Sequence, residues 1–148
     1  MKKKIIKQSL KETTSMLLEE PITLSIDPFN FIDTSRSGIT KNFFFKLVEK
    51  FNYTLKEIAH ILNVSERTLH RYEDHSKLSK DASERALHFI RLYNKGDAVF
   101  GTMDAFNKWM KTPSLVFNKN TPMSYLDTTF GFEMLEDELG RIEHGIFA

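Results

Sequence analysis

The side chains best suited to recognition chemistry in this sequence are two arginines that follow Ser65. Arg67 and Arg71 are about one helical turn apart, so a helix that begins at Glu66 would present both outward. A guanidinium can bond guanine bidentately, and it can also neutralise a phosphate. Arg67 is the best candidate for a base contact, and Arg71 for a phosphate contact. The candidate DNA-binding residues are Ser65, Arg67, Thr68, His70, Arg71 and Lys77.

Acidic residues in the same region leave a second interpretation open. Glu57, Glu66, Glu73 and Asp74 nearly cancel the local basic charge. The segment could therefore be a scaffold whose surface is too weakly charged to bind DNA. A dimer would favour binding, because two weak half-sites add their contacts.

Catalytic and metal-binding motifs are not found in the sequence. It contains no glycine-rich phosphate loop, no HExxH pair and no GxSxG turn. Cysteine is absent, which excludes disulfides and thiolate metal sites. His70 and His75 lie on either side of Asp74, but their five-residue spacing puts them on different faces of a helix. We therefore predict a non-enzymatic protein with no metal and no cofactor.

The residues around the two arginines have the pattern of a helix-turn-helix. Thr54 can cap the first helix, and Ala59 is the small residue needed where two helices cross. Asn63, four positions later, is among the few non-glycine residues that accept a positive φ. Val64 can fill the turn, and Ser65 can cap the second helix. This combination predicts a helix-turn-helix over residues 54–72.

Helical periodicity extends through most of the chain and predicts an all-α fold. The predicted helices cover residues 1–20, 41–51, 55–62, 66–74, 80–95, 103–111 and 129–143. Pro21 should end the first of them, and residues 21–38 show no sustained period, so we expect a linker or an arm along the core there. Gly96 is expected to interrupt or end the long helix, and Gly145 to end the last one.

The charge is unevenly distributed along the chain. Net charge is only +1, but the first eleven residues are strongly basic, and residues 127–143 are acidic with Arg141 as their one arginine or lysine. A basic beginning and an acidic end indicate different partners, although two solvated faces are the simpler alternative. The basic start is not followed by the apolar stretch of a secretory signal, and no apolar run approaches the roughly 18 residues of a membrane span. We therefore expect a cytoplasmic protein.

Three segments resemble a known family in their order and spacing. They are residues 83–87 (SERAL), residues 105–113 (AFNKWMKTP), and residues 121–148, which include LGRIEHGIF. Together with the helix-turn-helix they resemble the Xre/MbcA/ParS antitoxins over about residues 40–148. The resemblance implies an N-terminal Xre-like helix-turn-helix followed by a small helical toxin-binding domain. Residues 1–38 would be an extension, residues 39–78 the DNA-binding region, and residues 79–148 the toxin-binding and dimerisation domain.

The resemblance also implies partners. The usual partner of such antitoxins is a RES-domain toxin, which consumes NAD or uses it to modify proteins. The antitoxin forms a homodimer or higher oligomer, blocks the NAD pocket of the toxin with its C-terminal end, and binds operator DNA to repress its own operon. The candidate toxin-binding residues are Glu138, Arg141, Glu143, His144, Ile146 and Phe147.

The residues at the C-terminal end are compatible with that role. A pocket for a dinucleotide pyrophosphate must supply positive charge, so an acidic segment with an apolar tip could occupy it. Arg141 is expected to be an isolated cation that pairs with a toxin carboxylate. The acidic face could instead serve solubility alone, and residues 146–147 could fold back on their own core.

Two other functions are compatible with the same sequence. One is a stand-alone transcription regulator whose C-terminal domain only oligomerises. The other is a helical interaction module with a vestigial helix-turn-helix. A neighbouring gene for a RES-type toxin would favour the antitoxin, whereas strong operator binding without such a neighbour would favour the regulator.

Overall fold

The computed structural model describes residues 28–145. Within this range the chain forms seven α-helices and two short 3₁₀ turns. The helices are α1 (Pro28–Ser37), α2 (Lys41–Glu49), α3 (Leu55–Leu62), α4 (Glu66–Arg71), α5 (Lys80–Phe100), α6 (Met103–Met110) and α7 (Thr129–Glu143). The 3₁₀ turns, Leu115–Phe117 and Pro122–Tyr125, lie between α6 and α7. The predicted all-α fold is confirmed, and no strand occurs between residues 28 and 145.

Helix α5 is the central element of the fold. It packs against α1, α3, α6 and α7. Its buried residues lie on most sides of the helix because neighbours surround it: they include Ala82, Ala86, Phe89, Ile90, Leu92 and Tyr93. The core continues into α3 through Ile61 and into α7 through Leu135, both fully buried. The helix-turn-helix and the C-terminal helices therefore share one hydrophobic core.

The turn of the helix-turn-helix has the predicted geometry. Thr54 and Glu57 form a reciprocal capping box at the start of α3. Asn63 is left-handed, with φ 51° and ψ 46°, and its backbone ends α3. The Ser65 side chain accepts a hydrogen bond from the Thr68 N–H and caps α4. The local sequence therefore determines both helix ends at this turn.

Residues 28–37 form helix α1, so the prediction that residues 21–38 lack regular structure is wrong for that part. The helix does lie along the core, as an arm would. Phe31 and Ser35 are one turn apart and face inward, and the Phe31 ring meets the His88 ring edge-on at a centroid distance of 5.0 Å. So few inward-facing residues give little apolar periodicity in the sequence of α1. The stability of this helix comes from its packing on α5, which the sequence pattern does not reveal. Residues 21–27 and the predicted helix over residues 1–20 lie outside the described residues.

Gly96 neither interrupts nor ends the long helix, so the prediction made for this glycine is wrong. Helix α5 continues to Phe100 and ends at Gly101, whose φ is +77°. A Cβ atom on Gly96 would lie 2.5 Å from the ring of Phe106 on α6. The glycine is therefore explained by the close approach of α6 to α5 and not by helix termination.

Arg85 links the helix-turn-helix to the C-terminal part of the chain. Its guanidinium donates to the carbonyl of Ile61, at the end of α3, with Nε and O 2.8 Å apart. It also donates to the carbonyl of Leu126, just before α7. Arg85 is 9% exposed, so water cannot readily replace either bond.

Replacing Arg85 with methionine is expected to lower the free energy of unfolding by about 2–4 kcal/mol, because two buried carbonyls lose their donor. Urea denaturation followed by circular dichroism measures this. The control is Arg91→Met, which breaks a more exposed ion pair with Glu136 and should cost about 1 kcal/mol or less. Equal losses for the two variants would contradict a linking role for Arg85.

His88 lies between α1 and α7, with the rings of Phe31 and Phe132 against its imidazole. Its Nδ1 atom is buried and has no hydrogen-bond partner within the described part of the chain. Burial and the nearby charge of Arg91 hold the pKa of His88 below its ordinary value of 6.5. Three carboxylates oppose this shift without reversing it: Glu136, Glu84 and Glu133.

The protein is expected to lose stability as the pH falls below about 6.5. The unfolded chain binds a proton at His88 more readily than the folded chain does, so protonation favours unfolding. The loss is limited to about 1.4 kcal/mol per pH unit and ends at the folded pKa. Urea unfolding at several pH values, compared with His88→Gln, tests this prediction. An identical pH dependence in the variant would show that His88 does not contribute.

Candidate DNA-binding and protein-binding surfaces

Helix α4 is fixed against the core by the residues on its inner face. Leu69 is completely buried, and Val64 packs against the core from the turn. The Tyr72 hydroxyl accepts a hydrogen bond from the Ser79 N–H at 3.1 Å. The helix ends at Arg71 and not near Asp74, since Tyr72 is already extended with ψ 127°. The outer face of α4 therefore has a defined orientation.

The basic residues on the outer face of α4 are available for a ligand. Arg67, His70 and Arg71 are exposed. Within residues 28–145 none of these three side chains has a hydrogen bond or ion pair. A guanidinium that is not engaged by its own protein can form a bidentate contact without first breaking one.

The other three candidate DNA-binding residues already have contacts. The hydroxyls of Ser65 and Thr68 lie 2.9 Å apart at the helix cap. Lys77 is exposed, but its Nζ atom donates to the Ser37 carbonyl at 2.6 Å. The segment before α5 runs beside the start of α2, where the Leu78 N–H bonds the Ile39 carbonyl at 2.8 Å. Since an ammonium has three donors, this bond leaves Lys77 able to donate to a further acceptor.

Two of the four nearby acidic residues are paired with lysines that lie outside the candidate set. Glu57 lies 3.3 Å from the Nζ atom of Lys111, and Asp74 lies 3.8 Å from that of Lys41. Burial tends to raise the pKa of Glu57, but hydrogen bonds from Thr54 and the charge of Lys111 outweigh it and hold that pKa below its ordinary value. The carboxylates near α4 are therefore less able to cancel Arg67 and Arg71 than the sequence indicates.

Helix α7 buries one side and exposes the other. Phe132, Leu135 and Leu139 are completely buried. A second set at helical spacing is exposed and forms what we call the α7 stripe: Phe130, Glu133, Asp137 and Arg141. The Phe130 side chain is 72% exposed, which is unusual for phenylalanine.

The acidic residues of α7 differ in how far they are neutralised. Glu136 forms a two-pronged contact with Arg91, with N–O distances of 2.9 and 2.8 Å. Glu138 pairs with Arg141 at 3.0 Å. The expectation that Arg141 is an isolated cation is therefore wrong, because a carboxylate one turn away engages it. Glu133 and Asp137 form no ion pair within residues 28–145.

Three of the four candidate toxin-binding residues that the structure describes are exposed at the end of α7: Arg141, Glu143 and His144. The fourth, Glu138, is largely covered, with its side chain only 15% exposed. The His144 N–H bonds the Gly140 carbonyl at 3.1 Å to close the helix. Gly145 follows with φ +67°. The other two candidates, Ile146 and Phe147, lie outside the described residues.

Sequence reasoning missed three exposed apolar side chains in the C-terminal half. They are Phe130, Leu115 and Val116. Helical spacing could have revealed Phe130, which does not share the face of Phe132 and Leu135. No comparable pattern exists for Leu115 and Val116, which lie in a loop whose shape the sequence does not specify.

The described part of the chain contains no cluster of three histidine or acidic side chains that could hold a metal ion. None of its helices is both long and apolar enough to cross a membrane.

Comparison with known proteins identifies both halves of the chain. Residues 31–91 match the family model of the antitoxin Xre-like helix-turn-helix domain. Residues 95–145 match that of the antitoxin Xre/MbcA/ParS C-terminal toxin-binding domain. The two models occur in this order and together cover most of residues 31–145.

Two curated relatives carry the name antitoxin Xre. The relative from Yersinia enterocolitica is 31% identical over 94 residues, which are 62% of this chain and 64% of the relative. The relative from Photorhabdus laumondii is 38% identical over 71 residues, which are 47% of this chain and 48% of the relative. The chain thus spans less than two thirds of the length of either relative.

Proposed function

Because the chain belongs to the Xre/MbcA/ParS antitoxin family, we propose that it neutralises a toxin encoded beside it and represses their shared operon. The toxin in this proposal is a RES-domain protein that consumes NAD or transfers part of it to proteins. Operator contacts come from residues 39–78, and toxin and self-association contacts from residues 79–148, with residues 1–38 as an extension. The complex acts in the cytoplasm, where both its toxin and its operon lie.

The observation that carries this proposal is the presence of both family domains on one chain with a suitable surface on each. Arg67 and Arg71 are exposed on the second helix of the helix-turn-helix and form no ion pair with any residue from 28 to 145. Residues at the start of such a helix reach base edges in the major groove, and later ones reach phosphates. We assign base contact to Arg67, with phosphate contacts from Arg71 and Lys77.

The proposed inhibitory element is the C-terminal end of α7 and the residues after it. Glu133 and Asp137 give the α7 stripe negative charge that no neighbouring cation neutralises within residues 28–145. A NAD pocket binds a pyrophosphate and must present positive charge, so it attracts this helix. Residues 141–148 then extend into the pocket and exclude NAD.

Co-expression with the adjacent gene is the experiment that tests this function. Growth should be arrested by the neighbouring protein alone and restored when this chain is co-expressed, and the two proteins should co-purify. A neighbour that is toxic but neither rescued nor bound would contradict the antitoxin function. A stand-alone helix-turn-helix regulator would then be the better interpretation, provided that the chain binds the promoter of its own operon.

A further inference from the structure

The segment between α6 and α7 contains a loop held together by its own backbone, which we call the 114–120 loop. The Ser114 N–H bonds the Asn120 carbonyl at 3.1 Å, and the Lys119 N–H bonds the Ser114 carbonyl at 2.8 Å. Asn118 and Lys119 adopt positive φ values of 53° and 66°. The loop therefore closes on itself over seven residues, and its shape does not depend on a binding partner.

One residue anchors this loop to the core. Phe117 is only 2% exposed, and its ring meets that of Trp109 edge-on at 5.8 Å. The Tyr125 hydroxyl donates to the Phe117 carbonyl at 2.9 Å and accepts from the Asn120 amide at 3.3 Å. These side-chain and backbone contacts therefore fix the loop on the side that faces the core.

The two residues before the anchor point into solvent. Leu115 is 81% exposed and Val116 is 57% exposed. Because Phe117 and the backbone bonds hold the turn, neither side chain can be buried by a small local adjustment. A rigid apolar tip loses little conformational freedom when a partner covers it, which is the property of a preorganised binding element.

The charge around the loop indicates what kind of partner fits. Residues 105–126 contain three lysines and no aspartate or glutamate. Lys111 is engaged by Glu57, whereas Lys108 and Lys119 are exposed and form no ion pair within residues 28–145. A two-fold contact of the loop with a second copy would bring these lysines together, which is unfavourable. The partner surface should therefore be an apolar cleft with an acidic rim.

We propose that Leu115 and Val116 are a docking element for the toxin, distinct from the C-terminal end that blocks the active site. This inference rests on the proposed antitoxin function. It is supported by the location of the loop within residues 95–145, which match a toxin-binding domain. DNA is the less suitable ligand, because two aliphatic tips gain nothing against a phosphate backbone. In this proposal the loop contributes affinity for the toxin, and the C-terminal end of the chain blocks the NAD pocket.

The test is a binding titration between the full chain and the purified product of the adjacent toxin gene. Leu115→Glu should weaken binding by about 30-fold or more, because it removes the apolar tip and repels an acidic rim. Ile32→Glu is the matched control: Ile32 is an exposed aliphatic residue on α1, at 43% exposure, and its replacement should leave the affinity unchanged. Lys119→Glu should weaken binding by about 5-fold, because it places a negative charge against the acidic rim of the toxin but keeps the apolar tip. Thermal unfolding of each variant checks that the fold is intact.

The outcomes separate this inference from the function on which it rests. Weak binding by Leu115→Glu, at unchanged melting temperature and unchanged operator affinity, supports the docking element. Wild-type affinity in that variant overturns it and leaves the antitoxin function standing. If Leu115→Glu instead loses its dimers in light scattering while its toxin affinity is unchanged, the docking element is also overturned. Leu115 and Val116 would then contact a second copy of this chain and not the toxin. If the wild-type chain does not bind the toxin, both proposals fail.

Discussion

Replacing Arg67 and Arg71 with alanine should weaken operator binding about 100-fold or more, because a bidentate base contact alone contributes about 1–3 kcal/mol and a phosphate contact is lost with it. Toxin neutralisation should be unchanged, because both side chains are exposed on α4 and form no hydrogen bond or ion pair within residues 28–145. Fluorescence anisotropy with the promoter region measures the first effect, and growth rescue the second.

The two arginines can be separated by what each is assigned to contact. Arg67→Lys keeps the charge but loses the planar fork, so it should reduce discrimination between operator and random DNA more than it reduces binding to random DNA. Arg71→Ala should weaken binding to operator and to random DNA alike. It should also reduce the salt dependence of binding by the amount expected for the loss of about one phosphate contact. The reverse assignment would be required if Arg71→Ala alone removed discrimination.

A control of equal charge tests whether the position of the arginines matters. Lys108→Ala with Lys119→Ala removes two positive charges from the C-terminal half and should change operator affinity little, since screening limits the effect of distant charges. If this control weakens operator binding as much as the arginine pair does, net charge and not the helix-turn-helix determines binding. Loss of neutralisation by the folded arginine variant would contradict two separable surfaces.

The elements that local chemistry determines were predictable from the sequence. Thr54, Asn63 and Ser65 each satisfy a backbone requirement within three or four residues, so the capping box, the left-handed turn and the helix start appear where the residue types place them. Thr102 and Thr128 cap α6 and α7 through equally local contacts. Their side chains accept from nearby N–H groups, and no distant part of the chain is needed.

Features that depend on distant contacts were not predictable in this way. Helix α1 is stabilised by packing on α5, and the few apolar residues in its ten-residue sequence do not reveal this packing. Gly96 has the local properties of a helix breaker, and only its contact with Phe106 shows why α5 continues through it. Arg85 would be expected on the surface, but two carbonyls from different segments hold it in the core.

The candidate surfaces were predictable in composition but not in detail. The acidic character of residues 127–143 is evident in the sequence, whereas the neutralisation of Glu136 by Arg91 depends on the packing of α5 against α7. Arg141 illustrates the same limit at shorter range: an arginine three residues after a glutamate can pair with it or turn to a partner, and the side-chain geometry decides.

Deleting residues 141–148 is expected to abolish toxin neutralisation while preserving much of the toxin binding and all of the operator binding. The deletion removes the end of α7 but keeps Leu135 and Leu139, which anchor the helix in the core. It also keeps Glu133 and Asp137 on the α7 stripe. Growth rescue should therefore fail although the truncated chain still co-purifies with the toxin.

A substitution that leaves the length unchanged distinguishes the apolar tip from the helix end. The double variant Ile146→Ser with Phe147→Ser should lose neutralisation as the deletion does. Burying one large apolar side chain in a pocket contributes about 1.5–3 kcal/mol to the free energy of binding, and this variant removes two such side chains. Glu133→Lys with Asp137→Lys should instead weaken complex formation, because it reverses the charge that attracts the pocket. Full neutralisation by the truncated chain would exclude residues 141–148 as the blocking element and would leave the α7 stripe as the surface to test next.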